Sequence, residues 1–161
     1  MQPIKIILVP TDFSPASKRA LRYACNLADA TGASLQIIHV MENPYLPNAF
    51  SGYYAPLPGE FLEDLDRRTR AELEAQLTAE EKNKYSAVFV LRMGSPAHEI
   101  LEYLNDQDAI DLVVMATAGR GGVARLMMGS VADKVVRAAP CPVLTLHPAE
   151  QVATGTTFRA A

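Results

Sequence analysis

Between Asp111 and Val131 the chain concentrates groups that can grip an anion. The run Leu112 to Ala116 is apolar and mostly β-branched, a glycine-rich stretch follows, and Gly129-Ser130 opens a segment of helical periodicity. Strand, loop and helix in that order bring bare amides to a helix mouth. Gly119, Gly121 and Gly122 lack a Cβ and let backbone N–H groups curl, while a helix starting near Ser130 adds unpaired donors and its positive dipole end. A phosphate suits such a cradle. A tight strand-to-helix connection, whose glycines only solve a turn problem, would read the same way, so the rest of the chain has to decide.

The second chemical candidate is Thr11-Asp12, a hydroxyl and a carboxylate directly after the first strand and its closing Pro10. Asp12 suits a ribose hydroxyl or, through Mg²⁺, phosphates. It equally suits a turn in which its side chain bonds its own backbone beside Ser14. Val40 and Met115 add an apolar wall for a planar head group. Donors on one side, a carboxylate on another and an apolar third wall match a nucleotide, provided these segments meet.

The elements that must make them meet follow from periodicity. Ile4 to Val9 is an apolar run broken only by Lys5, as in a strand covered on both faces. Ser14 is placed to cap a helix with Pro15 at its first position, Ala16, Ala20, Leu21, Ala24, Leu27 and Ala28 form its inner stripe, and Thr31-Gly32 stops it. Leu35 to Val40 is the second strand. Met41 to Gly59, with four prolines and several aromatics, is one long irregular segment. From Phe61 to about Lys84 a single helix is predicted, with Leu62, Leu65, Thr69, Leu73 and Leu77 inward and acid-first i, i+4 pairs such as Asp64/Arg68 outward. Ala87 to Leu91 is the third strand, Pro96 opens a helix ending near Asn105, and Leu112 to Ala116 is the fourth strand. The last helix runs from Ser130 to Ala139, burying Val131, Val135 and Val136, and the fifth strand from Val143 to His147. Alternating strands and helices with nearly all-apolar strands give an α/β fold, an open five-stranded parallel sheet with helices on both faces. All strands then end on one edge, where Thr11-Asp12, Val40 and the stretch from Ala116 to Gly122 converge. Residues 1–148 are expected to form one domain and 149–161 a frayed tail.

Composition narrows the function classes. Over 161 residues the net charge is −3, which offers no footprint for a nucleic-acid backbone. No apolar run reaches the roughly 18 residues of a membrane span, and no secretory leader is recognisable, so a cytosolic protein is expected. Cys25 and Cys141 lack metal or redox spacing and read as small hydrophobes. The P-loop pattern and the G-x-G-x-x-G fingerprint are both absent, and His39, His98 and His147 lie far apart with no nucleophile pattern. Catalysis is therefore not expected as the main task, with slow ATP hydrolysis left open. Arg120 and Arg125 could touch phosphates or sit as solvated loop charges.

The sequence resembles the universal stress protein family over almost its whole folded length. The likeness lies in Val9-Pro10-Thr11-Asp12-Phe13-Ser14, His39-Val40, Gly94-Ser95-Pro96-Ala97 with Glu99-Ile100, Pro140-Cys141-Pro142-Val143 and above all the glycine stretch. In ATP-binding members that stretch reads Gly, two residues, Gly, nine residues, Gly, then Ser or Thr. Here Gly119, the nine residues Arg120 to Met128, and Gly129-Ser130 match, while Ala116 replaces the first glycine. The resemblance implies a Rossmann-like domain whose adenine-nucleotide contacts fall on Pro10, Thr11, Asp12, Val40, Met115, Ala116, Gly119, Arg120, Gly129, Ser130 and Val131. It also implies ATP as ligand, with or without Mg²⁺, and a homodimer through the short apolar strand Val143 to His147. The function so implied is a nucleotide-dependent stress or signalling module. An ATP-independent dimeric interaction module and a slow ATP phosphohydrolase are the alternatives.

Overall fold

A computed structural model describes residues 3–42, 59–107, 109–117 and 128–147. Its elements are β1 (Ile6–Pro10), α1 (Pro15–Thr31), β2 (Ser34–Met41), α2 (Gly59–Glu74), α3 (Ala79–Lys84), β3 (Val88–Met93), α4 (Pro96–Asp106), β4 (Leu112–Ala116), α5 (Ser130–Ala138) and β5 (Val143–Leu146). The strands form one five-stranded sheet in the order β3-β2-β1-β4-β5, every pair parallel. The first three strands step outward one way from β1 and the last two step the other way, so the topological switch point lies between β1 and β4.

Strand alternation sorts the core into two layers. Ile7 and Val9 of β1, Leu35 and Ile37 of β2 and Val114 of β4 face Leu21 and Ala24 of α1 and Leu73 of α2. Leu8, Ile38, Val40, Val113 and Met115 face the opposite way, against Ile100 and Leu104 of α4 and Val135 of α5. Period-two alternation in a sheet covered on both faces requires this division. Ile7, Leu8 and Val9 in the central strand are wholly inaccessible, each contributing about 1.5–3 kcal/mol by burial. At the amino edge the Asp111 carboxylate accepts the backbone N–H groups of Lys5 (2.8 Å) and Ile6 (2.9 Å), fixing β4 against β1 before their ladder begins.

The expected fold is the observed one, with local corrections. The helix expected from Phe61 to Lys84 is two helices. Thr78 caps α3 with a reciprocal box, its hydroxyl accepting from the Glu81 amide (3.2 Å) and the Glu81 carboxylate from the Thr78 amide (2.8 Å). Leu77, between the two helices, is 3% exposed in the same core cluster as Leu73. On α5 the buried positions are Ala132 and Val135, while Val131 is half-buried and Val136 exposed, because α5 packs on one stripe only. β1 begins at Ile6 rather than Ile4, and His147 lies just beyond β5. Most of the segment 41–59 lies outside the described residues, as does 148–161.

Candidate functional site

The β1–α1 connection is built by short-range bonds that its polar residues invite. The Thr11 amide donates to the Ile38 carbonyl (2.9 Å), extending the β1–β2 ladder one residue past the proline. The Thr11 hydroxyl accepts from the Phe13 amide (3.2 Å) and lies 3.2 Å from Ser17 Oγ and 3.3 Å from Gln76 Oε1. Asp12 Oδ1 accepts from the Ser14 amide (3.1 Å), and Ser14 Oγ in turn accepts from the Ser17 amide (3.2 Å) as the cap of α1. Phe13 between them sits at φ 65°, left-handed space that an aromatic L residue seldom enters. From β2, His39 brings Nδ1 to 2.7 Å from the Thr11 carbonyl and stacks its ring 4.3 Å from that of Phe13. Asp12 thus forms the turn its residue type allows, at the carboxyl end of the central strand.

Across the switch point, β4 ends at Ala116 and α5 begins at Ser130. Gly129 is the N-cap, with φ −63° and ψ 151° and no side-chain cap bond. Its own N–H is spent on the Thr117 carbonyl at 2.6 Å, which ties the end of β4 to the start of the helix. The Asp133 amide is the first to bond back into the helix, onto Gly129 O at 2.9 Å. The amides of Ser130, Val131 and Ala132 therefore point out of the helix start, with the positive end of the dipole behind them. Asp133 in that first turn is drawn down the helix by Arg137 Nε at 2.9 Å. Ser130 is exposed. Ala116 is an ordinary strand residue paired with Leu146, its φ is not positive, and its methyl packs with the layer under α1. At this position a methyl in place of the family's glycine strains nothing.

The structure gathers Val40, Met115 and Val131 in one apolar cluster beneath α5. Val40 and Met115 are 8% and 4% exposed, so their side chains serve the core first and offer a ligand little more than an edge and their backbone. Pro10 is buried at the end of β1, and Thr11, also buried, faces Ser17 and Gln76. Gly119 and Arg120 lie outside the described residues, as do Gly121, Gly122 and Arg125. Three contributors went unmarked in the sequence: Thr117, Gln76 and Phe13. Only Thr117, a hydroxyl following an apolar strand, left a readable signal.

Among the described residues the three histidines meet different partners. His39 meets the Thr11 carbonyl, His98 pairs with Glu102 at 3.5 Å, and His147 Nδ1 lies 3.3 Å from Thr117 Oγ1. His98, Glu99 and Glu102 cluster on α4, yet Arg92 already sits 3.5 Å from Glu99 and 4.0 Å from Glu102, supplying the positive charge a metal would bring. Burial pushes the thiol pKa values of Cys25 and Cys141 up, so both stay protonated and behave as small hydrophobes.

A parallel sheet with a switch point flanked by a helix whose N-cap makes no side-chain bond defines an α/β domain of the class that takes ligands outside the carboxyl ends of its strands. The sequence model of the universal stress protein family matches residues 3–147, and the chain belongs to that family. A universal stress protein of Thermus aquaticus is 37% identical over 151 residues, covering 89% of this chain and 98% of that one. Another from Methanocaldococcus jannaschii is 34% identical over 144 residues, covering 88% and 81%. The solved universal stress protein UspA from Lactobacillus plantarum superposes with a TM-score of 0.73 at 26% identity, over 91% of this chain and all of that one. Two more distant structures of the fold hold nucleotides. A universal stress protein in complex with cAMP has a TM-score of 0.61 at 23% identity over 91% and 99% of the two chains. One from Archaeoglobus fulgidus in complex with dAMP has 0.53 at 19% over 90% and 98%.

Proposed function

We propose that this protein binds ATP at the carboxyl edge of the sheet, between β1 and β4, and acts in the cytoplasm as a homodimeric, nucleotide-dependent stress or signalling module. The observation that carries the reading is the start of α5. A helix whose glycine N-cap makes no side-chain bond, starting beyond β4 next to the strand that ends in the Thr11-Asp12 turn, supports an anion site there. The cAMP and dAMP complexes of structural neighbours support an adenine nucleotide as the anion's carrier.

In this reading Gly129, Ser130 and Val131 hold phosphate oxygens through their backbone, with Gly119 and Arg120 completing the cradle. Asp12 takes a ribose hydroxyl or a phosphate-bound Mg²⁺, Pro10 and Thr11 line the turn, and Val40, Met115 and Ala116 border the base. Charge-assisted hydrogen bonds of about 1.5–3 kcal/mol each make three or four such donors sufficient for micromolar binding. The half-exposed edge of β5 is the dimer surface, since an uncovered short strand leaves ladder groups unpaired. The domain ends near residue 148, with 149–161 a tail outside it. No described helix is long and apolar enough to cross a membrane, which is compatible with the cytoplasm.

Titration calorimetry with ATP, with and without Mg²⁺, tests the ligand. Micromolar binding, weakened at least tenfold in Asp12→Ala, is the expected outcome. No binding at millimolar nucleotide would overturn it in favour of an ATP-independent interaction module, and sedimentation decides the dimer separately.

A further inference from the structure

The β1–α1 turn holds a bulky aromatic residue where glycine would be the undemanding choice. Phe13 at φ 65° is buried at 9% exposure, so neither backbone preference nor solvent keeps it there. Residues in such conformations persist only where their surroundings over-determine them, and they concentrate at ligand sites. Within the turn, the Phe13 amide bonds Thr11 Oγ1 and the Ser14 amide bonds Asp12 Oδ1, both over 3 Å. From outside, His39 of β2 reaches the Thr11 carbonyl at 2.7 Å and lays its ring, tilted by 36°, against Phe13. A carbonyl can only accept, so His39 Nδ1 must carry a proton and donate. One side chain thereby grips the residue before Asp12 by a hydrogen bond and the residue after it by ring packing.

We propose that His39 is the positioning residue of the nucleotide site: bonded to the Thr11 carbonyl and stacked on Phe13, it locks the strained turn that presents Asp12 to the switch point. The inference rests on the reading of that edge as a nucleotide site. If Phe13 leaves the left-handed region, the peptide between it and Asp12 rotates and the carboxylate loses its aim. Holding the turn in advance spares the ligand the cost of ordering it. His39 itself need not touch the ligand.

The test uses the full chain, nitrogen-15 labelled. In the wild type, imidazole shifts should show Nδ1 protonated; a ring protonated at Nε2 alone overturns the proposal without any substitution. His39→Phe keeps a ring and loses the donor, and His39→Asn keeps a donor near the Nδ1 position and loses the ring. In His39→Phe, exchange of the Phe13 and Ser14 amides should quicken about tenfold relative to amides inside β1 and β2, with ATP affinity down by a similar factor, and His39→Asn should restore much of both. Turn amides as protected in His39→Phe as in wild type overturn the inference, whether or not nucleotide binds. So does unchanged ATP affinity with a loosened turn. Wild-type protein that takes up no ATP while the turn loosens as expected removes the nucleotide site and with it the role of His39 there, yet leaves the turn lock demonstrated.

Discussion

Two helices start at the same edge of the sheet, one on each side of the switch point, and they start in opposite ways. α1 closes its own end, with Ser14 capping the Ser17 amide, Pro15 bringing no N–H to satisfy, and Asp12 taking the amide of Ser14. α5 is left open: glycine caps it without a side chain, and the one N–H of that glycine is used to fasten the helix to Thr117. A side-chain cap is worth about 1 kcal/mol against alanine but only a few tenths against glycine, so the glycine cap at α5 costs little stability while placing no side chain over the first amides. α4 is the instructive third case. Ser95 makes no cap bond there either, but Glu99 Oε1 lies 2.6 Å from where a Cβ on Gly94 would be, so negative charge already fills that mouth. The side-chain-capped start adds rigidity to the Asp12 turn, while the start of α5 has no side-chain cap bond, and it is there that the proposed nucleotide site would hold its phosphate.

The sharpest way to break the contrast is to make α5 resemble α1. Gly129 has ordinary extended backbone, which any residue can adopt, so in Gly129→Asp the carboxylate should cap the helix. Losing access to about two charge-assisted bonds, at roughly 1.5–3 kcal/mol each, should weaken ATP binding by about 100-fold or more in calorimetry. The melting temperature should hold or rise by about a degree, because aspartate caps only a few tenths of a kcal/mol better than glycine. Wild-type affinity in Gly129→Asp would mean that the open helix end is not where the phosphate goes.

The reverse change acts on α1. Ser14→Ala removes its cap and should lower stability by about 1 kcal/mol, or about 2–4 °C in melting temperature for a domain of this size. ATP affinity should fall far less than in Gly129→Asp. A loss of affinity as large as that of Gly129→Asp, at unchanged stability, would erase the distinction between the two starts.

Much of this contrast is visible in the chain itself, because caps are local chemistry. Ser14-Pro15 and Gly129-Ser130 announce their helices within a few residues, and the apolar runs around Leu8 and Val113 announce buried strands. The topology follows from the alternation of elements, but the strand order that puts β1 beside β4 does not. Long-range partners stayed hidden for the same reason. Nothing local to Gln76 says that it meets Thr11, and nothing local to Phe13 says that it takes φ 65°. The break between α2 and α3 was readable, since Thr78-Ala79-Glu80-Glu81 is a capping box, but the i, i+4 stripe running through it masks the stop. Val136 was misplaced because a short apolar helix does not reveal which stripe its sheet will cover.

A smaller effect is expected at Ala116, beside the open helix. If the motif's missing glycine had cost binding, Ala116→Gly would recover it. Because Ala116 has ordinary strand geometry and its methyl packs on the α1 side, the substitution should instead cost about 0.5–1 kcal/mol of stability and move ATP affinity by no more than about twofold. Denaturant midpoints read the first quantity and calorimetry the second; a clear gain in affinity would show that position 116 contacts the ligand more closely than its packing implies.

The weakest expected effect concerns the other side-chain-capped start, at α3, which follows the elbow where Gln76 reaches Thr11. Glu81 is held below the usual carboxylate range, first by the Thr78 amide and then by the Arg22 guanidinium, whose neighbouring nitrogen bonds the Gln76 carbonyl at 3.2 Å. Folding therefore favours the ionised form. Its contribution is complete above the ordinary glutamate value, about pH 4.3, and is lost as the pH falls through the lowered folded value. Glu81→Gln keeps an oxygen for the Thr78 amide and removes only the charge. At neutral pH it should lower stability by less than about 1 kcal/mol, as befits a solvent-facing pair, and the gap between wild type and variant should close as the pH falls through the lowered folded value. Urea midpoints across that range measure it. A gap that persists in acid would assign the difference to something other than the charge of Glu81.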